Sequence, residues 1–369
     1  MNYLYYPGCS LTGTAREYDM STRAVMDAMG VPLTELEEWT CCGASAAEAC
    51  SELLALALPA INLAIAEDMD DQQDVMVPCS ACYLNLKKAA ETMRRDTRAH
   101  ERVNTVLAEK DLSVKGTAGV RHLLDVLSTD IGADAIRTKV TVDFSHLTIA
   151  PYYGCQCLRP YPVFDDPEAP RSMEPLIRAT GAAVHPWQMG AKCCGASHMN
   201  TKMEVALELV HAILKAAQGA DAIVTVCPMC QMNLEAYQDK VAQRYGGPGP
   251  VTILYLPQFL GLAMGLQVKH HAGEAIQMQE RIDQAAFQGM LTQHSSGVEV
   301  LAAPANPADV ENVTPALLGG ARTTLLGDYI VSQFLAARNQ PFGSALSVAV
   351  MSVMLVAVVV YFRSGAKNL

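Results

Sequence analysis

The chain of 369 residues contains twelve cysteines, and ten of them form one arrangement that occurs twice. Each copy has an isolated cysteine after a tyrosine-rich segment, then an adjacent Cys-Cys pair followed by Gly-Ala-Ser, then a Cys-x-x-Cys motif. The second copy follows the first at offsets of 146, 152 and 148 residues. The cysteines are Cys9, Cys41, Cys42, Cys79 and Cys82 in the first copy and Cys155, Cys193, Cys194, Cys227 and Cys230 in the second. Three motifs in one order at nearly one offset predict that roughly the first 300 residues are two copies of one module.

Short apolar runs rich in β-branched and aromatic residues precede the cysteines, and longer helix-compatible segments follow them. The predicted strands are Tyr3 to Tyr6, Asp74 to Val77, Thr148 to Tyr153, Ala222 to Val226 and Val251 to Leu256. The predicted helices are Ala46 to Glu67, Arg121 to Asp130, Met199 to Ala217 and Pro257 to Leu266. This alternation predicts an α/β fold of two pseudo-symmetric, cysteine-rich, Rossmann-like modules with parallel sheets. Loops at the carboxyl ends of the strands are then the natural place for a site.

Charge and motif content narrow the range of functions. A formal net charge of -11, with no basic stripe, argues against nucleic acid as a partner. The amino-terminal segment lacks the charged and apolar stretches of an export signal, which predicts a cytoplasmic protein whose cysteines serve metal or redox chemistry. The sequence has no C-x2-C-x2-C-x3-C-P run, G-x-G-x-x-G motif or P-loop. Electrons for a redox reaction are therefore expected to come from another protein.

Five cysteines per module exceed the four thiolates that a cubane cluster or a structural zinc ion requires. Binding one metal centre through both members of an adjacent pair demands a sharp turn, for which Gly43 and Gly195 provide the backbone freedom. Each C-x-x-C is expected to open a helix whose amino terminus favours thiolate charge. Disulfides, structural zinc and a thioredoxin-like dithiol remain as alternatives. Cys50 has no counterpart in the second half and is predicted to be a core residue, whereas Cys157 lies close enough to Cys155 to reach a metal centre.

The pattern Cys9-x31-Cys41-Cys42-x36-Cys79-x2-Cys82, with its repeat from Cys155 to Cys230, resembles the duplicated cysteine-rich CCG domain of the heterodisulfide reductase B subunit. The resemblance covers about residues 1 to 270 and implies a first module over residues 1–135 and a second over 136–270. It further implies that each module holds one noncubane 4Fe-4S cluster. The first cluster would be bound by Cys9, Cys41, Cys42, Cys79 and Cys82, and the second by Cys155, Cys193, Cys194, Cys227 and Cys230.

That resemblance also implies a reaction. The family reduces a disulfide, such as the mixed disulfide of coenzyme M and coenzyme B, between its two clusters, and its partners are ferredoxin-like and flavin-containing subunits of the same complex. Another thiol carrier is an equally open substrate. Lys192, Arg159 and His198 lie next to ligand cysteines and are candidates for binding an anionic substrate group, or else residues that orient the cluster. The alternative function is a membrane-attached CCG-type electron-transfer subunit of a quinone-linked respiratory complex.

The C-terminal hundred residues have a different character. Residues 271–320 are polar and then rich in proline and glycine, which predicts a linker. Residues 321–369 resemble the end of a spermidine/putrescine-type ABC transporter permease, and 344–362 form an uncharged stretch long enough to be a single transmembrane helix. One span cannot transport a solute by itself. We therefore expect either a fusion or frameshift that joined unrelated pieces, or an anchor that places the protein at the inner face of the cytoplasmic membrane.

Overall fold

Eight strands form two four-stranded sheets in the computed structural model, which describes residues 1–70, 73–199, 201–247 and 249–266. The strands of the first sheet are β1 (Tyr3–Tyr5), β2 (Leu33–Glu35), β3 (Val75–Val77) and β4 (Val120–His122). Those of the second are β5 (Thr148–Tyr152), β6 (Ala183–Val184), β7 (Ala222–Thr225) and β8 (Thr252–Tyr255).

Both sheets are entirely parallel and have the same topology. The first has the order β2-β1-β3-β4 and the second β6-β5-β7-β8. The central strands pair in register at Leu4 with Val75 and at Ile149 with Ala222. Every residue of β1, β3 and β7 is buried, as expected for parallel strands covered by helices on both faces. The predicted mixed α/β architecture with parallel sheets is thus confirmed.

Helices connect the strands. In the first half they are α1 (Gly8–Thr12), α2 (Arg16–Ala28), α3 (Ala44–Cys50), α4 (Glu52–Met69), α5 (Ser80–Arg95), α6 (Thr97–Leu107), α7 (Leu123–Asp125) and α8 (Gly132–Lys139). In the second half they are α9 (Met173–Ala179), α10 (Met203–Ala216), α11 (Pro228–Ala236), α12 (Gln238–Tyr245) and α13 (Leu256–Ala263). Short 3-10 segments cover Ala108–Lys110 and Ala196–His198, and a π-helical turn covers Val126–Ile131.

Three predicted helices differ from the observed ones. The segment 46–67 is two helices, because Ser51 is extended (φ -163°) and its hydroxyl accepts a hydrogen bond from the Leu54 amide to begin α4. Part of the segment 121–130 belongs to strand β4, and the helix starts at Leu123, where the His122 side chain caps it. The predicted helix from Met199 begins only at Met203. Strands β2, β4 and β6 were not predicted, because the short β2 and β6 are partly or fully exposed and β4 runs directly into α7.

The two halves pack against each other reciprocally. The last helix of the first half, α8, packs on α9 of the second, and the last helix of the second half, α13, packs on α2 of the first. Near this second contact, the Tyr18 and Tyr255 rings stack with centroids 4.1 Å apart. One continuous apolar core accordingly includes Leu4, Phe144 and Phe259 from both halves.

A buried carboxylate fixes the loop that leads into β4. The Glu67 side chain on α4 accepts backbone hydrogen bonds from Lys115, from Thr117 (2.7 Å) and from Ala118 (3.0 Å). Glu67→Ala is expected to lower the free energy of unfolding by about 3 kcal/mol, because three backbone N–H groups, of which that of Ala118 is buried, lose a charged acceptor. The neighbouring Asp68→Ala is the control, since its ion pair with Lys115 is exposed and contributes at most ~0.5 kcal/mol. Equal losses for the two variants in urea titrations would contradict this role of Glu67.

The C-terminal predictions concern residues beyond those described. The linker over 271–320, the permease-like segment and the apolar stretch 344–362 lie outside the described residues. Within residues 1–266, apart from the short gaps, no helix combines the length and apolar character needed to cross a membrane. The division into modules at residue 135 remains a proposal.

Candidate metal centre

The cysteines follow the carboxyl ends of three adjacent strands in each sheet. In the first sheet, Cys9 follows β1, the Cys41-Cys42 pair follows β2, and the motif from Cys79 to Cys82 follows β3. In the second sheet the same motifs follow β5, β6 and β7. Because carboxyl ends of parallel strands lie at one edge of a sheet, this topology gathers each set of five cysteines. The unpredicted strands β2 and β6 are the ones that deliver the Cys-Cys pairs.

One sulfur contact recurs in both halves. The Cys42 Sγ lies 3.4 Å from the Cys82 Sγ, and the Cys194 Sγ lies 3.5 Å from the Cys230 Sγ. All twelve cysteines are free thiols, and these separations far exceed the ~2.05 Å of a disulfide bond. The structure therefore holds no disulfide at either set, contrary to the first of the three alternatives.

A left-handed glycine follows each Cys-Cys pair, as predicted. Gly43 has φ +83° and Gly195 has φ +77°, and each glycine amide donates a hydrogen bond to the sulfur two residues before it, Cys41 or Cys193. The first cysteine of each pair is exposed, whereas the second is buried. The turn thus directs both sulfurs of a pair to the site while only one of them reaches the surface.

Each C-x-x-C motif begins a helix, also as predicted. Cys79 is the residue before the first turn of α5, and Cys227 holds the same position before α11. The positive end of the helix dipole stabilises thiolate charge at these positions. Cys79, Cys82, Cys227 and Cys230 are all buried, so these four sulfurs form the inner side of the two sets.

Sulfur contacts divide the thiols into those that ionise readily and those that do not. Hydrogen bonding with the Cys82 sulfur lowers the pKa of Cys42 to about 6, and hydrogen bonding with the Cys155 sulfur lowers that of Cys193 to about 5. Contact with Cys230 lowers the pKa of Cys227 to about 7. The partner thiols Cys82, Cys155 and Cys230 have raised pKa values, because hydrogen bonding with neighbouring cysteines, and then burial, favours their protonated form. Near neutral pH each set thus already contains thiolate, the form that binds metal.

Two tyrosines that the sequence analysis did not single out complete the sets. The Tyr6 hydroxyl donates to the Thr40 carbonyl (2.7 Å), and the Tyr152 hydroxyl donates to the Lys192 carbonyl (2.6 Å). Both acceptors immediately precede a Cys-Cys pair. Burial first, and then the charges of four cysteines of the same set, raise the pKa of each tyrosine, which keeps both hydroxyls protonated. The tyrosines that precede both Cys9 and Cys155 were the sequence feature that could have identified these two residues.

An asparagine that occurs in both copies hydrogen-bonds to the second cysteine of each Cys-Cys pair. The Asn85 amide donates to the Cys42 carbonyl (3.2 Å), and the Asn233 amide donates to the Cys194 carbonyl (2.7 Å). Both asparagines lie three residues after their C-x-x-C motif, within a segment that the repeat aligns. Local sequence identity therefore marked these residues, but only the structure shows that they position the pair.

Two of the three cationic candidates, Arg159 and His198, lie near the exposed Cys193 sulfur. Arg159 donates to the Ala191 carbonyl and pairs with Glu168, while Lys192 and His198 are exposed. The hydrogen bond with Cys155 is the largest cause of the lowered pKa of Cys193; burial opposes it, and the Gly195 amide, His198 and Arg159 lower the pKa further. The structure thus places Arg159 and His198 near the second cysteine set, and Lys192 within the loop that carries it.

The two remaining cysteines differ from each other. Cys50 is exposed at the end of α3, so its prediction as a core residue was wrong. The reason is the break at Ser51, which separates α3 from the longer buried helix. Cys157 is fully buried and donates to the Tyr153 carbonyl (3.2 Å), and burial first, then the charge of Cys227, raises its pKa. It lies beside the second set rather than at the surface.

The donors present suit an iron–sulfur cluster better than one metal ion. Within the part of the chain that the structure describes, no group of three or more His, Cys, Asp or Glu side chains is arranged to hold a metal ion. The sulfurs instead approach in pairs around a buried tyrosine. Thiolates are the usual ligands of iron–sulfur clusters, in which several iron atoms distribute the ligands over a wider space than a tetrahedral zinc site does.

Comparison with known proteins identifies the repeat. The family profile of the cysteine-rich CCG domain matches twice, at residues 3–87 and 149–235. The chain is 35% identical over 271 residues to a protein of Wolinella succinogenes named as the membrane anchor subunit of 8-methylmenaquinol:fumarate reductase, covering 72% of this chain and 93% of that protein. It is 27% identical over 291 residues to a protein of Archaeoglobus profundus named as similar to the heterodisulfide reductase B subunit, covering 76% and 97%.

Two further similarities are partial. A crystal structure of a hypothetical protein from Helicobacter pylori shares the fold, with a TM-score of 0.57 and 15% identity. It matches 72% of this chain, which spans about half (49%) of that longer one. A segment of 49 residues is 48% identical to the spermidine/putrescine permease protein PotB of Haemophilus influenzae but covers only 17% of it. The 35% identity across nearly the whole Wolinella protein, together with the duplicated domain, is decisive: the chain belongs to the family of duplicated cysteine-rich CCG-domain proteins that includes the heterodisulfide reductase B subunit.

Proposed function

We propose that this chain is an iron–sulfur electron-transfer subunit of a multisubunit oxidoreductase and that it binds two clusters. Cys9, Cys41, Cys42, Cys79 and Cys82 would hold the first, and Cys155, Cys193, Cys194, Cys227 and Cys230 the second. The observation that carries the proposal is the sulfur pair that recurs with one geometry, 3.4 Å in the first half and 3.5 Å in the second. Five thiols per set, one more than a cubane needs, favour the noncubane form of 4Fe-4S cluster.

Different residues have different roles at each cysteine set. A bound cluster supplies one-electron chemistry. The buried cysteines and the buried tyrosine exclude water from the inner side, while the helix amino terminus and the glycine amide stabilise thiolate charge. Cys9 and Cys41 in the first set, and Cys193 in the second, leave the outer side open. A substrate or partner protein would approach from there.

Disulfide reduction is the first candidate reaction. Reducing a disulfide takes two electrons and two protons and releases two thiols, so two neighbouring clusters match two sulfurs. Relatives named as the B subunit of a heterodisulfide reductase, or as similar to it, support this proposal. The substrate would be of the coenzyme M/coenzyme B type or another thiol carrier. Arg159, Lys192 and His198 are the candidates for its anionic group. The proposed partners are the ferredoxin-like and flavin-containing subunits of such a complex, and the proposed location is the cytoplasm.

A second candidate follows from the Wolinella relative. Because that protein is 35% identical and is named as the membrane anchor subunit of a quinol:fumarate reductase, the chain could instead transfer electrons in a quinone-linked complex at the membrane. This function requires the same two clusters but no disulfide chemistry. The two candidates therefore predict different responses to thiols.

The test uses the full-length chain purified without oxygen. If disulfide reduction is the function, the electron paramagnetic resonance spectrum of the oxidised protein changes on addition of 2-mercaptoethanesulfonate, because a thiolate reaches a cluster. The matched control is 2-hydroxyethanesulfonate, which has the same charge and no thiol and should change nothing. If the thiol leaves the spectrum unchanged and menadiol reduces the clusters, the quinone-linked function is assigned. Stoichiometric zinc in place of iron and acid-labile sulfide would overturn both.

A further inference from the structure

Tyr18 connects the two cysteine sets at their inner side. Its hydroxyl lies 3.1 Å from the Pro78 carbonyl and 3.2 Å from the Val226 carbonyl, so its one hydrogen is shared between two acceptors. Pro78 directly precedes Cys79, and Val226 directly precedes Cys227. Each carbonyl therefore belongs to the peptide group that contains the nitrogen of a cysteine of one set, at the same position in both halves.

The surroundings of Tyr18 hold its hydroxyl in this place. The residue is fully buried, and its ring stacks on that of Tyr255 with centroids 4.1 Å apart and an angle of 3° between the planes. Burial raises the pKa of Tyr18 well above its usual range, so the hydroxyl keeps the hydrogen that it donates. The Tyr255 hydroxyl donates to a different residue, Gln231 (3.3 Å). In the stacked pair, it is therefore the Tyr18 hydroxyl that joins the two loops.

Ser80 forms a second connection between the same two loops. It directly follows Cys79, and its hydroxyl donates to the Val226 carbonyl (3.1 Å). The Val226 carbonyl thus accepts hydrogen bonds from both Tyr18 and Ser80, which its two lone pairs allow. Ser80 and Val226 are buried, as Tyr18 is. Two connections that consist only of covalent bonds and hydrogen bonds therefore join Cys79 to Cys227.

Such connections matter for the movement of electrons. An electron passes between two metal centres more readily along bonds than across a gap, because electronic coupling decays more slowly through bonds than through space. Reduction of one disulfide takes two electrons, and each cluster supplies one at a time. A partner that docks at one set must therefore supply the other set through the chain. In that step one electron leaves the reduced cluster of one set and reduces the oxidised cluster of the other, and no bond or proton changes place.

We propose that the Tyr18 hydroxyl, together with that of Ser80, is the bridge through which electrons pass between the metal centres of the two cysteine sets. This inference rests on the proposed two-cluster function and adds the route between the clusters. The same contact through bonds produces a magnetic exchange interaction when both clusters carry an unpaired electron. The dipolar interaction acts through space and depends only on distance and orientation. Measuring both interactions therefore distinguishes a bridge from a residue that only fixes the distance.

The experiment is electron paramagnetic resonance at two microwave frequencies on the full-length chain, kept without oxygen and poised so that both clusters are paramagnetic. In Tyr18→Phe, which retains the stacked ring and removes only the hydroxyl, the exchange interaction is expected to fall severalfold, while the dipolar interaction and the iron content stay constant. Tyr255→Phe is the matched control, because it removes the other hydroxyl of the stacked pair, and it should alter neither interaction. The double variant Tyr18→Phe/Ser80→Ala lacks both connections and should have the weakest exchange interaction.

Variants with a single cluster test whether the loops themselves are disturbed. In Cys42→Ser and in Cys194→Ser, adding Tyr18→Phe should leave the spectrum of the remaining cluster unchanged. If Tyr18→Phe does not retain both clusters, Ser80→Ala tests the second connection and should also weaken the exchange interaction. An exchange interaction that is absent from the unaltered protein or unchanged in these variants, or a parallel change in the dipolar interaction, would overturn the inference. Absence of iron from the unaltered protein would instead overturn the proposed function.

Discussion

Replacing Cys194 with serine is expected to halve the bound iron, from about eight to about four atoms per chain if each set holds a four-iron cluster. Cys194 is buried, and its sulfur makes the contact with Cys230 that recurs in both halves. Serine is nearly the same size but replaces the thiolate with a hydroxyl that iron binds poorly. The measurement is iron and acid-labile sulfide after anaerobic purification of the full-length chain.

The internal repeat provides a matched experiment. Cys42→Ser, the counterpart in the first half, should cause the same loss, and the double variant should bind almost no iron. Cys50→Ser is the negative control, because Cys50 is exposed at the end of α3 and belongs to neither set. Full iron content in Cys194→Ser, or loss of iron in Cys50→Ser, would contradict the ligand assignment.

A second large effect is expected at the glycine before each isolated cysteine. Gly8 and Gly154 have φ of +68° and +71°, and a Cβ at either position would lie 2.9 Å from the Cys82 Sγ or 3.0 Å from the Cys230 Sγ. Gly154→Ala is therefore expected to displace a ligand sulfur and to lose the iron of the second set. It should also lower the free energy of unfolding by about 3 kcal/mol, since left-handed strain and a steric clash act together.

Gly30→Ala separates these two causes. Gly30 has φ +71°, as Gly154 does, but no atom lies within 4 Å of its added Cβ. Its alanine variant should lose only the ~1 kcal/mol of left-handed strain and should retain all its iron. If Gly30→Ala and Gly154→Ala behave alike in denaturant titrations and iron assays, then the close approach to Cys230 is unimportant.

Local sequence patterns located the strands that carry isolated cysteines and C-x-x-C motifs. Tyr3 to Tyr6 and Ala222 to Val226, for example, contain β1 and β7, which are buried on both faces and are continuous apolar runs. The patterns failed for β2 and β6. These edge strands have three and two residues, all of them partly or fully exposed, so neither length nor periodicity distinguishes them from loops.

The limits of local sequence patterns also explain why Cys50 was wrongly predicted to lie in the core. The segment 46–67 reads as one apolar helix because its composition is uniform and it contains no glycine. A single hydrogen bond from the Leu54 amide to the Ser51 hydroxyl begins a new helix there, and the preceding turn leaves Cys50 in solvent. Serine favours helix starts, but its effect depends on a competition with neighbouring turns that sequence alone does not resolve.

The sequence by itself determined the chemistry of this protein: the number of thiols, their grouping into two equal sets and the glycines that make the adjacent pairs possible. Those properties depend on residue identity and short spacing, which a linear pattern records. Tertiary structure alone decided which sulfurs touch, and that Tyr6 and Tyr152 hold the loops of the pairs. It also decided that the Ser80 hydroxyl of one half donates to the Val226 carbonyl of the other. Such contacts join residues up to about 150 positions apart, and only the pairing of strands within each sheet and the packing of the two halves bring them together.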